Sequence, residues 1–162
     1  MLYIKDFCKQ TVVSNDQIKT AIAKVPNAHL KGLQYIVYDP ERFFQRSYVN
    51  PRPINYNVIG QYNRLPSKFI TIHKIIHEEN FYHVLYHEIG HHVFNHILPS
   101  RMRVTWVNDI FPNSQYFVSN YASTNAQEDF CESYSSFYTN ASDLKKDTRK
   151  ASFVRHCMTH II

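Results

Sequence analysis

The order of apolar and polar positions predicts alternating helices and strands. Apolar residues recur every three to four positions over 16–25, after Ser14 as a capping residue and before Pro26, which predicts a helix. Runs rich in β-branched and aromatic residues predict strands over 33–38 and 68–73, with a weaker candidate at 56–60. Helical patterns of greater length cover 81–98, 126–138 and 142–162.

The segments between these elements do not divide the chain. Residues 41–55 are rich in Arg, Asn and Pro and are predicted to be a loop, and residues 100–123 a short helix followed by irregular structure. There is no repeat, low-complexity tract or linker. We therefore expect one α+β domain over residues 1–162, with a small mixed sheet packed on the central helix over 81–98 and further helices toward the C-terminus.

The central helix carries the pentapeptide His87-Glu88-Ile89-Gly90-His91, an H-E-x-x-H motif. Histidines four residues apart on a helix point the same way and can bind one Zn²⁺, while the intervening glutamate can take a proton from a water that the metal activates. For a chain of this length and composition, the expected number of H-E-x-x-H matches by chance is only about 0.02. The alternative is a pair of hydrogen-bonded core histidines, which leaves the acidic Glu88 unexplained in an almost wholly apolar helix.

A third ligand is expected on the helix over 126–138. Glu128 and Glu132 share one face of it, opposite an apolar stripe. His92 and His96 fall at the wrong offsets for a third histidine ligand. Glu128 would complete a His₂Glu site. Glu132, one turn later, is either a hydrogen-bond acceptor for a ligand histidine or a solvated surface residue.

These two segments together resemble the catalytic domain of anthrax lethal factor and the related bacterial Pro-Pro endopeptidases. Those proteins carry an H-E-[FLI]-G-H helix and then a Tyr-x₆-Glu-x-Phe-x-Glu-[Ser/Ala]-[Phe/Tyr] pattern. The matching positions here are Tyr121, Glu128, Phe130, Glu132, Ser133 and Tyr134. Two residues depart from the family pattern, Asp129 and Cys131. The Asp129 carboxylate is an alternative to Glu128 as the third ligand, and the Cys131 thiolate could compete for the zinc.

The resemblance implies a zincin-like domain and a zinc-dependent endopeptidase. His87, His91 and Glu128 would then hold Zn²⁺, and Glu88 would act as general base. Tyr121 would donate a hydrogen bond to the oxyanion that forms during peptide hydrolysis. The strand over 69–72 would pair with an extended peptide or protein substrate.

Three alternative functions remain open, and the charge of the chain bears on the first of them. The net charge is +5, with a basic cluster at Lys145, Lys146, Arg149 and Lys150 that we interpret as a solvated helix face. A nucleic-acid-binding module with structural zinc would need a closed four-ligand site, typically cysteine-rich, and clustered cations with exposed aromatics, so nucleic acid is not the expected partner. Within enzymes, the alternative is a gluzincin that cleaves a phage-type repressor. The third alternative is a homologue without catalytic activity. The presence of Glu88 and Tyr121, the candidate general base and oxyanion donor, argues against it.

Three widely spaced cysteines do not form a disulfide framework and favour a reducing compartment. A charged pair near the N-terminus lies where a signal peptide needs its apolar run, and no segment is long and apolar enough for a membrane span. We therefore expect a monomeric, cytoplasmic protein, or a secreted one if an export signal was trimmed.

Overall fold

The computed structural model describes residues 1–41 and 59–162 of the chain. Four strands form one sheet: β1 (Tyr3–Lys5), β2 (Tyr35–Tyr38), β3 (Gly60–Asn63) and β4 (Phe69–Ile72). The described ranges contain six α-helices: α1 (Asn15–Ala23), α2 (Glu78–His92), α3 (Ser100–Thr105), α4 (Ala126–Thr139), α5 (Ala141–Leu144) and α6 (Thr148–His160). The α+β class is therefore confirmed, and none of the described helices has the length and apolar character needed to cross a membrane.

The sheet is mixed, with the strand order β1-β2-β4-β3. β1 and β4 pair in parallel with either side of β2, whereas β3 pairs antiparallel with β4. β4 is buried at all four positions and is paired on both sides. The prediction that residues 69–72 pair with a substrate is therefore wrong, because their backbone groups already bond to β2 and β3.

The edge strand β3 and the helix α2 meet directly. At Gly60, an added Cβ would lie 2.5 Å from Cγ1 of Val84 and 3.3 Å from the Glu88 side chain. Tyr62, two residues later, donates its hydroxyl to Nδ1 of His92 at the end of α2 at 2.9 Å, because Nε2 of the same neutral ring donates to the backbone oxygen of Lys31. These contacts place β3 beside the H-E-x-x-H turn.

The helix capping follows the sequence closely. Ser14 and Gln17 form a capping box at the start of α1, as the position of Ser14 predicted. Asn125 caps α4 by accepting a hydrogen bond from the Glu128 amide at 2.9 Å. The expected continuous C-terminal helix is wrong, because the chain turns between α5 and α6 and Asp147 starts a new helix by accepting from the Lys150 amide.

The core lies between the sheet, α2 and α4. α2 buries Leu85 and Ile89, and α4 buries Phe130 and Tyr134 as the apolar stripe predicted. A segment with π-helical hydrogen bonding, Val93–Ile97, continues α2, so helical structure extends almost to the predicted end at residue 98. The strand predicted at 56–60 lies largely outside the described residues, as does the loop predicted at 41–55.

Candidate metal centre

The helices α2 and α4 hold the candidate ligands in direct contact. A Cβ added at Gly90 on α2 would lie 3.0 Å from the Cα atom of Cys131 on α4. Only glycine lets the two backbones approach so closely without a shift. The H-E-x-x-H turn therefore faces the acidic face of α4.

Three predicted ligand atoms converge between these helices. Oε2 of Glu128 lies 3.1 Å from Nε2 of His87 and 3.4 Å from Nε2 of His91. This oxygen is buried, and neither contact has the geometry of a hydrogen bond, so the atom has no hydrogen-bond partner. A carboxylate oxygen left unsatisfied beside two imidazole nitrogens is the arrangement that a bound cation would complete, so these residues fit a divalent metal.

Cys131 is a second candidate for the third ligand. Its thiol and the ring nitrogens of His87 and His91 all lie within 4.8 Å of one another. The thiol is fully buried, and burial together with the surrounding carboxylates raises its pKa well above the ordinary value. A thiol that resists ionisation is a weaker candidate than an ionised carboxylate, because metal ligation requires the thiolate.

Hydrogen bonds fix the ring orientation of both histidines. Nδ1 of His87 lies 3.0 Å from Oε2 of Glu132, which is the arrangement expected when Glu132 supports a ligand histidine. Nε2 of Gln127 donates to Nδ1 of His91 at 2.8 Å; ligation of a metal by Nε2 of His91 would require this amide to turn over, so that its oxygen accepts from Nδ1. The Nε2 atoms of both rings are thereby directed toward Glu128.

The Glu132 carboxylate is itself held on two further sides. Ser119 donates its hydroxyl to Oε1 at 2.8 Å, and Nε2 of the half-exposed His83 lies 2.7 Å from Oε2. Sequence reasoning missed His83 and Ser119. His83 lies one turn before His87 on the same helix face, which is a usable signal, whereas Ser119 comes from a loop whose position only the fold determines.

Charges in the centre stabilise one another. Burial disfavours the charged form of His87, but the carboxylates of Glu128 and Glu132 outweigh it and raise the pKa of His87 to about 10. Burial likewise opposes ionisation of both glutamates, but the neighbouring imidazoles lower the pKa of Glu128 to about 2 and that of Glu132 further. Both carboxylates are therefore anionic at neutral pH, as metal ligation and second-sphere support require.

Glu88 lies in the same cleft but on a different side of α2. It is almost fully buried against Gly60, and it accepts a hydrogen bond from the Tyr62 backbone amide. Burial raises the pKa of its carboxyl, which the nearby imidazoles of His87 and His91 partly offset. A carboxylate with a raised pKa is a stronger base than one in water.

Tyr121 lies over the centre at the start of a 3-10 turn, Tyr121–Thr124. Its ring is half exposed and its centroid is 5.8 Å from that of His87. Burial raises the pKa of Tyr121, and so does the negative charge of the nearby Glu128 carboxylate. The phenol therefore keeps its proton and can act as a hydrogen-bond donor at the open side of the site.

Asp129 belongs to a different environment, so it is no alternative ligand. Its Oδ1 lies 2.9 Å from Nζ of Lys150, and both side chains are buried. The prediction that the basic cluster at 145–150 is a solvated helix face is therefore wrong for Lys150. The neighbouring cations do remain at the surface.

The centre opens into a cleft of about 320 Å³. Its wall includes the five polar or aromatic side chains of Gln61, Tyr62, Arg64, Asn95 and Gln127, besides the residues of the centre itself. No model of a known protein family, no curated protein and no solved structure matches this chain. Functional inference therefore rests on the geometry of the site and on the motif residues.

Proposed function

We propose that this chain is a zinc-dependent endopeptidase with His87, His91 and Glu128 as the metal ligands. The observation that carries the proposal is the buried Oε2 atom of Glu128, which has no hydrogen bond and lies 3.1 Å and 3.4 Å from the two imidazole nitrogens. The resemblance of both motif segments to lethal-factor-like proteases supports the same ligand set.

Bound zinc would supply Lewis acidity to a water and to the substrate carbonyl. Glu88, buried beside the two histidines, is placed to accept the proton of that water and to return it to the leaving amine. Glu132 keeps the ring of His87 in one orientation. The Tyr121 hydroxyl, at the exposed side of the cleft, would donate to the oxyanion.

The substrate strand would pair with β3. Among the described strands it pairs with β4, and Gly60 and Tyr62 line the cleft. An extended peptide bound in this cleft would pass between β3 and Tyr121. β3 would therefore pair with the substrate in place of residues 69–72, for which the sequence analysis predicted that pairing.

Metal analysis of variants tests the ligand set. We expect about one zinc per chain for the native protein and little for His91→Ala and Glu128→Ala. Cys131→Ser is the matched control, since it keeps the size of the side chain and removes the competing thiol. If Cys131→Ser loses the metal while Glu128→Ala retains it, the proposed ligand set is wrong.

Hydrolysis of a mixed peptide library tests the activity. Glu88→Gln is nearly isosteric, so the variant should retain its fold and zinc but lose at least about 10²-fold in rate. Hydrolysis by this variant at the native rate would contradict the role of Glu88. A zinc-loaded native protein that cleaves no peptide would overturn the proposed function itself.

A further inference from the structure

One end of the cleft is cationic, and its key residue is Arg64. This exposed residue directly follows β3 and lines the same cleft as Glu88, His91 and Tyr121. Because residues in a strand are about 3.3 Å apart, its Cα lies roughly 7 Å along the chain from Tyr62, whose amide binds Glu88. The guanidinium is therefore within reach of a substrate side chain two or three residues from the scissile bond.

A neutral group positions Arg64. Its guanidinium donates to Oδ1 of Asn95 at 3.2 Å, and Asn95 in turn donates to the backbone oxygen of His91 at 2.7 Å. Asn95 lies in the π-helical segment that directly follows α2. The arginine is thus linked to the turn that carries a candidate metal ligand, and its charge is not neutralised by that link.

No carboxylate compensates this charge within the described ranges. The ion pairs found there involve other cations, and the segment 42–58 contains neither Asp nor Glu. Lys68 and Arg103 lie near His96, whose ring lies 6.1 Å from that of Tyr62, but of the three cations only Arg64 lines the cleft. The positive charge at this end of the cleft therefore favours an anionic ligand.

We propose that Arg64 selects an acidic side chain of the peptide substrate, on one side of the scissile bond and within about three residues of it. This inference rests on the proposed endopeptidase function and names its substrate class. Arginine suits the role because its planar guanidinium can form two parallel hydrogen bonds with one carboxylate. The ammonium group of a lysine is a point charge on a flexible chain and does not impose this geometry. Asn95 holds the guanidinium in place before the substrate arrives.

The test is a library of peptides digested by the zinc-loaded full chain, with all cleavage sites mapped. In the native protein, Asp or Glu should be enriched at one position within three residues of the cut. Against a peptide with that acid, Arg64→Gln should lose about 10-fold in kcat/KM, and against the matched peptide with Gln it should change little. Arg155→Gln, an exposed residue of α6 that does not line the cleft, is the control and should behave as the native protein.

A charge-reversal variant at Arg64 provides a second test of the same inference. Arg64→Glu should shift the preferred residue at that position from acidic to basic, which a merely structural role for Arg64 would not produce. Cleavage without acidic enrichment, or equal rates for Arg64→Gln and the native protein on the acidic peptide, would overturn this inference and leave the protease function intact. A loss of salt-dependent oligonucleotide binding in Arg64→Gln with unchanged peptide cleavage would also overturn it. Absence of all cleavage would remove both proposals together.

Discussion

Replacement of Lys150 by Met should destabilise the fold strongly without affecting the metal centre. The ammonium group is buried, 2.9 Å from Oδ1 of Asp129 and 2.8 Å from the backbone oxygen of Tyr116. Methionine retains most of the side-chain volume but none of the charge. The variant therefore leaves the Asp129 carboxylate buried without its partner cation.

The magnitude follows from the ways in which Asp129 can respond. Loss of one partner of a buried ion pair costs about 3–5 kcal/mol. Asp129 can limit this cost by taking up a proton. A rise of this pKa from its native value of about 6 to above 7 corresponds to about 1–1.4 kcal/mol at pH 7 and to almost nothing at pH 5. Even with Lys150 present, burial raises the pKa of Asp129 to about 6.

The sign of the pH dependence is fixed by this shift. A carboxyl whose pKa is higher in the folded than in the unfolded chain favours folding at low pH, and this advantage disappears as the pH rises. The Lys150→Met defect should therefore be larger at pH 7 than at pH 5. Urea denaturation at both values measures it, with Asp129→Asn/Lys150→Met as the control that removes both charges and recovers part of the stability. A loss below about 1 kcal/mol at pH 7, or an equal loss at both values, would refute the reasoning.

Three further predictions concern the site and the core. Tyr121→Phe should lower kcat about 10²–10³-fold with little change in KM or zinc content, as steady-state kinetics and metal analysis would show; unchanged kcat would make this tyrosine a packing residue only. Gly90→Ala should weaken zinc binding in a competition titration, because the added methyl meets the Cys131 backbone at 3.0 Å and separates the two ligand helices; native affinity would contradict this. Burial lowers the pKa of His29 below 6.5, so stability should fall as the pH drops below that value, and His29→Gln should flatten the dependence by at most about 1.4 kcal/mol per pH unit in thermal melts.

The sequence predicted the elements that carry the site better than their surroundings. The helix over 126–138 corresponds to α4 within one residue, and the H-E-x-x-H helix begins three residues before its predicted start. Both have strong apolar periodicity and caps that the side chains themselves provide. β1 has only three residues and is stabilised by pairing with β2, so no local pattern reveals it.

Residues that act through long-range contacts could not be predicted. The interpretation of Asp129 as a competing ligand, and of Lys150 as a surface cation, failed for the same reason: each residue looks exposed until the other is placed beside it. The role proposed for β3 depends on the order of the described strands, which places β4 in the interior and β3 at the edge. Strand order is set by packing across the whole domain, so the choice between neighbouring strands is invisible locally.

The one-turn spacing of Glu128 and Glu132 links the fold to the chemistry of the site. It places one carboxylate at each nitrogen of His87, Glu128 at Nε2 and Glu132 at Nδ1. A rotation of α4 by one residue, about 100°, would remove both contacts together. The register of α4 against α2 is therefore also the condition for three ligand atoms to converge. A cation bound between His87, His91 and Glu128 would add bonds across the same helix pairing that forms its site, and would therefore stabilise that pairing.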